Sequence, residues 1–117
     1  MDIGKDLVAA SATPLVLAIL AEGESYGYAI IKRVGELTGG ELQWADGMLY
    51  PLLHRLERNG FITAFWGKSE TGRKRKYYRL TEQGRDELTR HRQQWSVVDA
   101  ALRDIWDSQI HPMVQGT

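Results

Sequence analysis

Residues 72–84 read Gly72-Arg73-Lys74-Arg75-Lys76-Tyr77-Tyr78-Arg79-Leu80-Thr81-Glu82-Gln83-Gly84. Within them Lys76-Tyr77-Tyr78-Arg79-Leu80 has strand chemistry, and Thr81 is a residue type that opens helices, so a strand is expected to end where a helix begins. Upstream, Phe61-Ile62-Thr63-Ala64-Phe65-Trp66 is a second strand-forming run, stopped by Gly67. The polar, glycine-bearing segment between the two runs predicts a β-hairpin with positive charge gathered at its tip. From Lys68 to Arg79 six basic residues stand against one acid, Glu70, so this segment carries +5 in a chain whose formal net charge is zero.

Three helices are expected before the hairpin. The first covers roughly 5–21 and contains Thr13-Pro14; Pro14 has no N–H, so it either starts a helix capped by Thr13 or kinks a longer one. Its apolar face would include Leu7, Ala10, Leu17 and Leu20. Ser25 is the expected N-cap of a second helix, 26–38, with Tyr26, Ile30, Val34 and Leu37 at helical spacing, stopped by Gly39-Gly40. Asp46 is the expected cap of a third, running to Asn59 and closed by Gly60. Leu49, Leu53 and Leu56 would face inward there, leaving Gly47, Tyr50, Pro51, His54, Arg55 and Arg58 nearer the surface. Thr81 would cap a long last helix reaching about Gln109, before Pro112 and a polar tail.

This order predicts a mainly α fold with a small β-hairpin, a winged helix-turn-helix over 1–80 followed by a C-terminal dimerisation helix over 81–110 packed on the same domain, and a tail at 111–117. In the last helix Leu88, Trp95, Val98, Leu102 and Ile105 follow heptad spacing, with His91 at an intervening position. A helix that long has no partner of equal length in its own chain. A second copy is the economical source of one, with Trp106 added to the seam.

Composition narrows the function. The 117 residues fit one domain, and zero cysteines exclude disulfides, thiolate zinc sites and cysteine nucleophiles, as suits a cytoplasmic protein. The longest apolar run, 14–21, is too short for a membrane span, and no signal peptide is recognisable. Net charge is −3 over 1–66, +5 over 67–94 and −2 over 95–117, an asymmetry that points to a local polyanion contact. His54, His91 and His111 fall on different elements without partners at metal-ligand or triad spacing, so no catalytic residue, metal site or cofactor is assigned.

Ser25-Tyr26-Gly27-Tyr28-Ala29-Ile30, the run Met48 to Gly60 and the run Gly72 to Gly84, in this order, resemble the PadR family of transcriptional regulators over 5–107. The single short C-terminal helix with Trp95-Ser96-Val97-Val98-Asp99 is similar to the short-form, multidrug-sensing type of that family. The resemblance implies a dimeric repressor on a palindromic double-stranded DNA operator. It puts Gly47, Met48, Pro51, His54 and Arg55 in the major groove, and the Tyr50 hydroxyl on a phosphate, although Tyr50 packing against the second helix remains open. It also implies DNA contacts from Tyr26, beside unpaired helix N–H groups, and from Arg73, Lys74, Arg75 and Lys76 of the wing.

The short-form resemblance further implies a planar aromatic effector between two copies of Trp95, with walls from Leu7, Ala10, Ser11, Pro14, Val98 and Leu102 and with Asp99 facing a ligand's positive charge. Trp95 as plain dimer core is the competing reading. His91 and Arg92 stand where the drug-sensing relatives have small or aromatic residues, which makes this opening more polar or narrower. Two further alternatives are a wing that binds an acidic protein, and a PadR-like repressor with no small-molecule site.

Overall fold

The computed structural model describes residues 1–110; the polar tail expected at 111–117, with His111 and Pro112, lies outside them. The elements run α1 (Lys5–Glu22), β1 (Ser25–Tyr26), α2 (Gly27–Leu37), α3 (Asp46–Arg58), β2 (Ile62–Lys68), β3 (Lys74–Leu80) and α4 (Glu82–Ile110). The chain is mainly helical, and its strands form one antiparallel sheet in the order β1-β3-β2.

Two residues tie the hairpin to the helices around it. Gly60, at φ 81, closes α3 in the left-handed conformation that a side chain disfavours. The Phe61 N–H donates to the Leu56 carbonyl and the Gly60 N–H to that of Glu57, each at 3.0 Å, so the helix end is satisfied by a Schellman arrangement. Thr81 does the reverse for α4. Its hydroxyl accepts from the Gly84 N–H at 3.0 Å and donates to the Gly60 carbonyl at 2.7 Å, so one side chain caps a helix and fastens it to the end of another.

Several expected boundaries move. Lys5–Glu22 is one helix with Pro14 inside it, so Thr13 is not a cap. Ser25 does not cap α2: Ser25 and Tyr26 are a short strand paired with Tyr78 and Tyr77, and Tyr26 takes the N-cap position with no side-chain cap bond. Ala45, not Asp46, precedes α3, whereas Asp46 sits in the first turn, where its charge suits the helix dipole. Strands β2 and β3 are longer than expected, which shortens the loop between them to 69–73.

The core draws on every element except β1. Ala12, Val16, Leu17, Ile19 and Leu20 of α1 meet Ile30 and Val34 of α2, and Leu49, Leu52, Leu53 and Leu56 of α3. Ile62, Tyr78 and Leu80 of the sheet, Trp44 from the connector and Leu88 of α4 complete it. Leu7, Ala10 and Leu37, expected inside, are exposed. From Arg92 to Asp107 every residue of α4 is exposed, so this part of the helix stands away from its own core. No helix among the described residues is long and apolar enough to cross a membrane.

Candidate functional site

The wing is built from the loop upward. The Ser69 N–H donates to the Arg73 carbonyl at 2.8 Å, and the Gly72 N–H to the Ser69 carbonyl at 2.9 Å. The Ser69 hydroxyl, nearly buried, lies 2.9 Å from that of Thr71 and accepts the Arg73 N–H at 3.2 Å. Gly72 at φ 83 allows this turn, and Arg73 emerges exposed at its end. Lys74, Arg75 and Lys76 do not sit at the tip, where the charge is expected from sequence; they are the first three residues of β3. Their cationic ends lie over aromatic rings, at 5.5 Å from the Trp66 centroid for Lys74, 3.8 Å from that of Tyr26 for Arg75 and 5.8 Å from that of Tyr78 for Lys76.

Tyr26 is thus held between the Arg75 guanidinium and the edge of Tyr77, whose ring centroid is 5.6 Å away. It stands at the start of α2, whose first N–H groups receive no side-chain cap. Along α3, the alternation of leucines with polar residues leaves Gly47, Pro51, His54 and Arg55 exposed. Met48 differs from the expectation, because it is half-buried against the core. Tyr50 is 39% exposed, and its hydroxyl lies so close to Gly27 that a Cβ there would collide with it. That contact anchors the phenol on the first turn of α2, beside the same unpaired N–H groups. Burial, with Tyr50 and Glu57 nearby, pushes the Tyr78 phenol of β3 up from its ordinary pKa.

A second feature is an apolar groove of about 490 Å³ between α1 and α4. Ser11, Pro14 and Trp95 line it, together with Leu88 and Arg92. Leu15, Ala18, Ala21 and Glu22 also line it; the spacing of Ser11, Leu15, Ala18 and Glu22 along one helix face was the signal that could have found most of them. Leu7, Ala10, Val98, Asp99 and Leu102 are exposed and do not line it. The Asp99 carboxylate instead accepts a hydrogen bond from Arg103 Nε at 2.9 Å. Glu22 is the carboxylate on this groove, and hydrogen bonds from Arg33 at 3.0 and 2.7 Å hold its pKa below the usual carboxylate range. His91 lies 3.4 Å from Glu87.

Of the expected seam, Trp95, Val98, Leu102, Ile105 and Trp106 are exposed, whereas Leu88, at 8%, is buried in the chain's own core.

The family model described as the transcriptional regulator PadR-like family matches residues 16–90. The transcriptional regulator YqjI of Escherichia coli is 34% identical over 89 residues, which cover 76% of this chain and 41% of YqjI. Among solved structures, a transcriptional regulator from Clostridium thermocellum, Cth-833, superposes with a TM-score of 0.76 at 30% identity, covering 86% of this chain and 97% of the other. The PadR-like transcriptional regulator BC4206 from Bacillus cereus gives 0.78 at 25% identity, covering 87% and 97%.

Proposed function

Because the chain belongs to the PadR-like family of transcriptional regulators, and is therefore a DNA-binding protein rather than an enzyme, we propose that it is a homodimeric cytoplasmic repressor of a palindromic operator, relieved by a planar aromatic compound bound at the dimer interface. The observation that carries this reading is the run of exposed apolar side chains on α4, Trp95, Val98, Leu102, Ile105 and Trp106, which begins at the groove between α1 and α4. Large apolar groups on a helix that stands clear of its own core favour burial against a second copy. A dimer also matches a two-fold operator, since each wing and each α3 then meets one half-site.

The groove supports the effector part of the proposal. Its surface is apolar, Trp95 offers an aromatic face, and Glu22 and Arg92 put one charge of each sign at its margin. Glu22 therefore replaces Asp99 as the carboxylate that would meet a cationic effector.

The test pairs dye titration with sedimentation, for the wild type and for Trp95→Ala. The expected result is a Trp95→Ala dimer that has lost most of its affinity for planar dyes, each aromatic face removed being worth roughly 0.5–1.5 kcal/mol beyond its apolar area. Addition of dye to the wild type should release a duplex selected from a random pool. A Trp95→Ala protein that turns monomeric, together with a wild type that binds no planar dye, would make Trp95 dimer core and leave a repressor without this effector.

A further inference from the structure

The hairpin has two faces of different chemistry. Cross-strand register places Ile62, Ala64, Trp66 and Lys68 on one face with Leu80, Tyr78, Lys76 and Lys74 opposite them. At its base this face is core, through buried Ile62, Tyr78 and Leu80, which belong to one buried cluster with Leu49, Leu53 and Leu56 of α3. Beyond Ala64 and Tyr78 the core stops while the face continues outward, as Trp66 opposite Lys76 and then Lys68 opposite Lys74. Trp66 is 63% exposed, and the nearest cation over its ring is Lys74 Nζ at 5.5 Å.

On the other face the arginines are engaged. Arg75 lies on Tyr26 at 3.8 Å, Tyr26 meets Tyr77 edge-on, and Tyr77 stacks on Phe65 with centroids 5.7 Å apart. Arg79 covers Phe65 at 4.6 Å and donates from Nε to Glu24 at 3.0 Å. This ladder fixes the hairpin against β1 and the start of α2.

From this division we propose that the wing meets DNA with its lysine face, and that Trp66 is a DNA-contacting residue whose indole packs on the deoxyribose wall of the groove beside α3, between phosphates taken by Lys68, Lys74 and Lys76. Arg75 and Arg79 are positioning residues. The inference rests on the DNA-binding reading above. Duplex DNA is the occupant whose surface alternates as this face does, anionic phosphate with apolar sugar, and the face supplies three lysines around one indole with no acid among them. Lysine suits the exchange, because a weak exposed contact between an ammonium and a ring is readily given up for a phosphate.

The experiment measures binding to a labelled random-sequence duplex across a salt series, with tryptophan emission followed in parallel. Trp66→Ala should lose affinity about tenfold, as expected for a large side chain left unburied, while keeping the wild-type salt slope, because no phosphate contact is lost. Lys74→Ala and Lys76→Ala should each lower the slope by about one unit, and Arg75→Ala should leave the slope intact. The emission change on adding DNA to the wild type should disappear in Trp66→Phe. An exposed residue should tolerate both replacements without a fall in melting temperature. The proposal is overturned if Trp66→Ala binds as the wild type does, or if Trp66→Phe retains the full emission change. A wild type that binds no duplex even at low salt overturns the DNA-binding reading itself, which the variant series separates from a failure of Trp66 alone.

Discussion

Gly84 and Gly47 occupy the first turns of α4 and α3, yet they are glycine for opposite reasons. A Cβ on Gly84 would collide with the Phe61 carbonyl oxygen and with Leu80, and the carbonyl cannot yield because it accepts the Thr81 N–H at 3.1 Å. Gly84→Ala should therefore destabilise the protein by roughly 1–3 kcal/mol, read as a clear fall in melting temperature. Around Gly47 there is open space, and alanine favours a helix more than glycine does. Gly47→Ala should keep or raise the melting temperature and weaken only DNA binding, through the methyl group it adds to the face of α3 proposed to meet the duplex. Equal melting temperatures for the two variants would refute the steric account of Gly84.

At the scale of elements, we propose that the wing supplies affinity and α3 supplies preference. Arg73 is exposed at the end of a loop held by Ser69, and in the proposed complex it would meet a phosphate, a contact that carries no base information. Arg73→Ala should weaken binding to selected and random duplexes alike, with a salt slope about one unit lower. His54, exposed on α3, should behave otherwise: His54→Ala should change which duplexes are recovered from a random pool. Finding the change of preference in Arg73→Ala instead would reverse the assignment. Much of this layout is legible in sequence, because Gly60, Thr81 and the leucine spacing of α3 are local signals. The pairing of β1 with β3 is not, since two residues have no periodicity and Ser25 looks the same as a helix cap.

For the whole molecule the decisive feature is α4, about 43 Å long at helical rise, while the described chain extends 65 Å along its longest axis. Replacing Leu102 and Ile105 together by Glu would bury like charges in the proposed seam and should yield monomers by sedimentation, with DNA affinity reduced because two half-sites are no longer bound by one particle. A variant that remains a stable dimer at low micromolar concentration would place the seam elsewhere. The order of the four helices and the hairpin, the concentration of charge in that hairpin and the amphipathic length of α4 were readable from residues close together in sequence, because capping, alternation and heptad spacing are properties of neighbours. Tertiary structure alone decided that Arg75 rests on Tyr26, that Leu88 turns into the chain's own core, that Glu22 and not Asp99 borders the groove, and that Trp66 continues the core face of the sheet into solvent. Each of these depends on which distant surfaces exclude water from one another, and no spacing within a single segment records that.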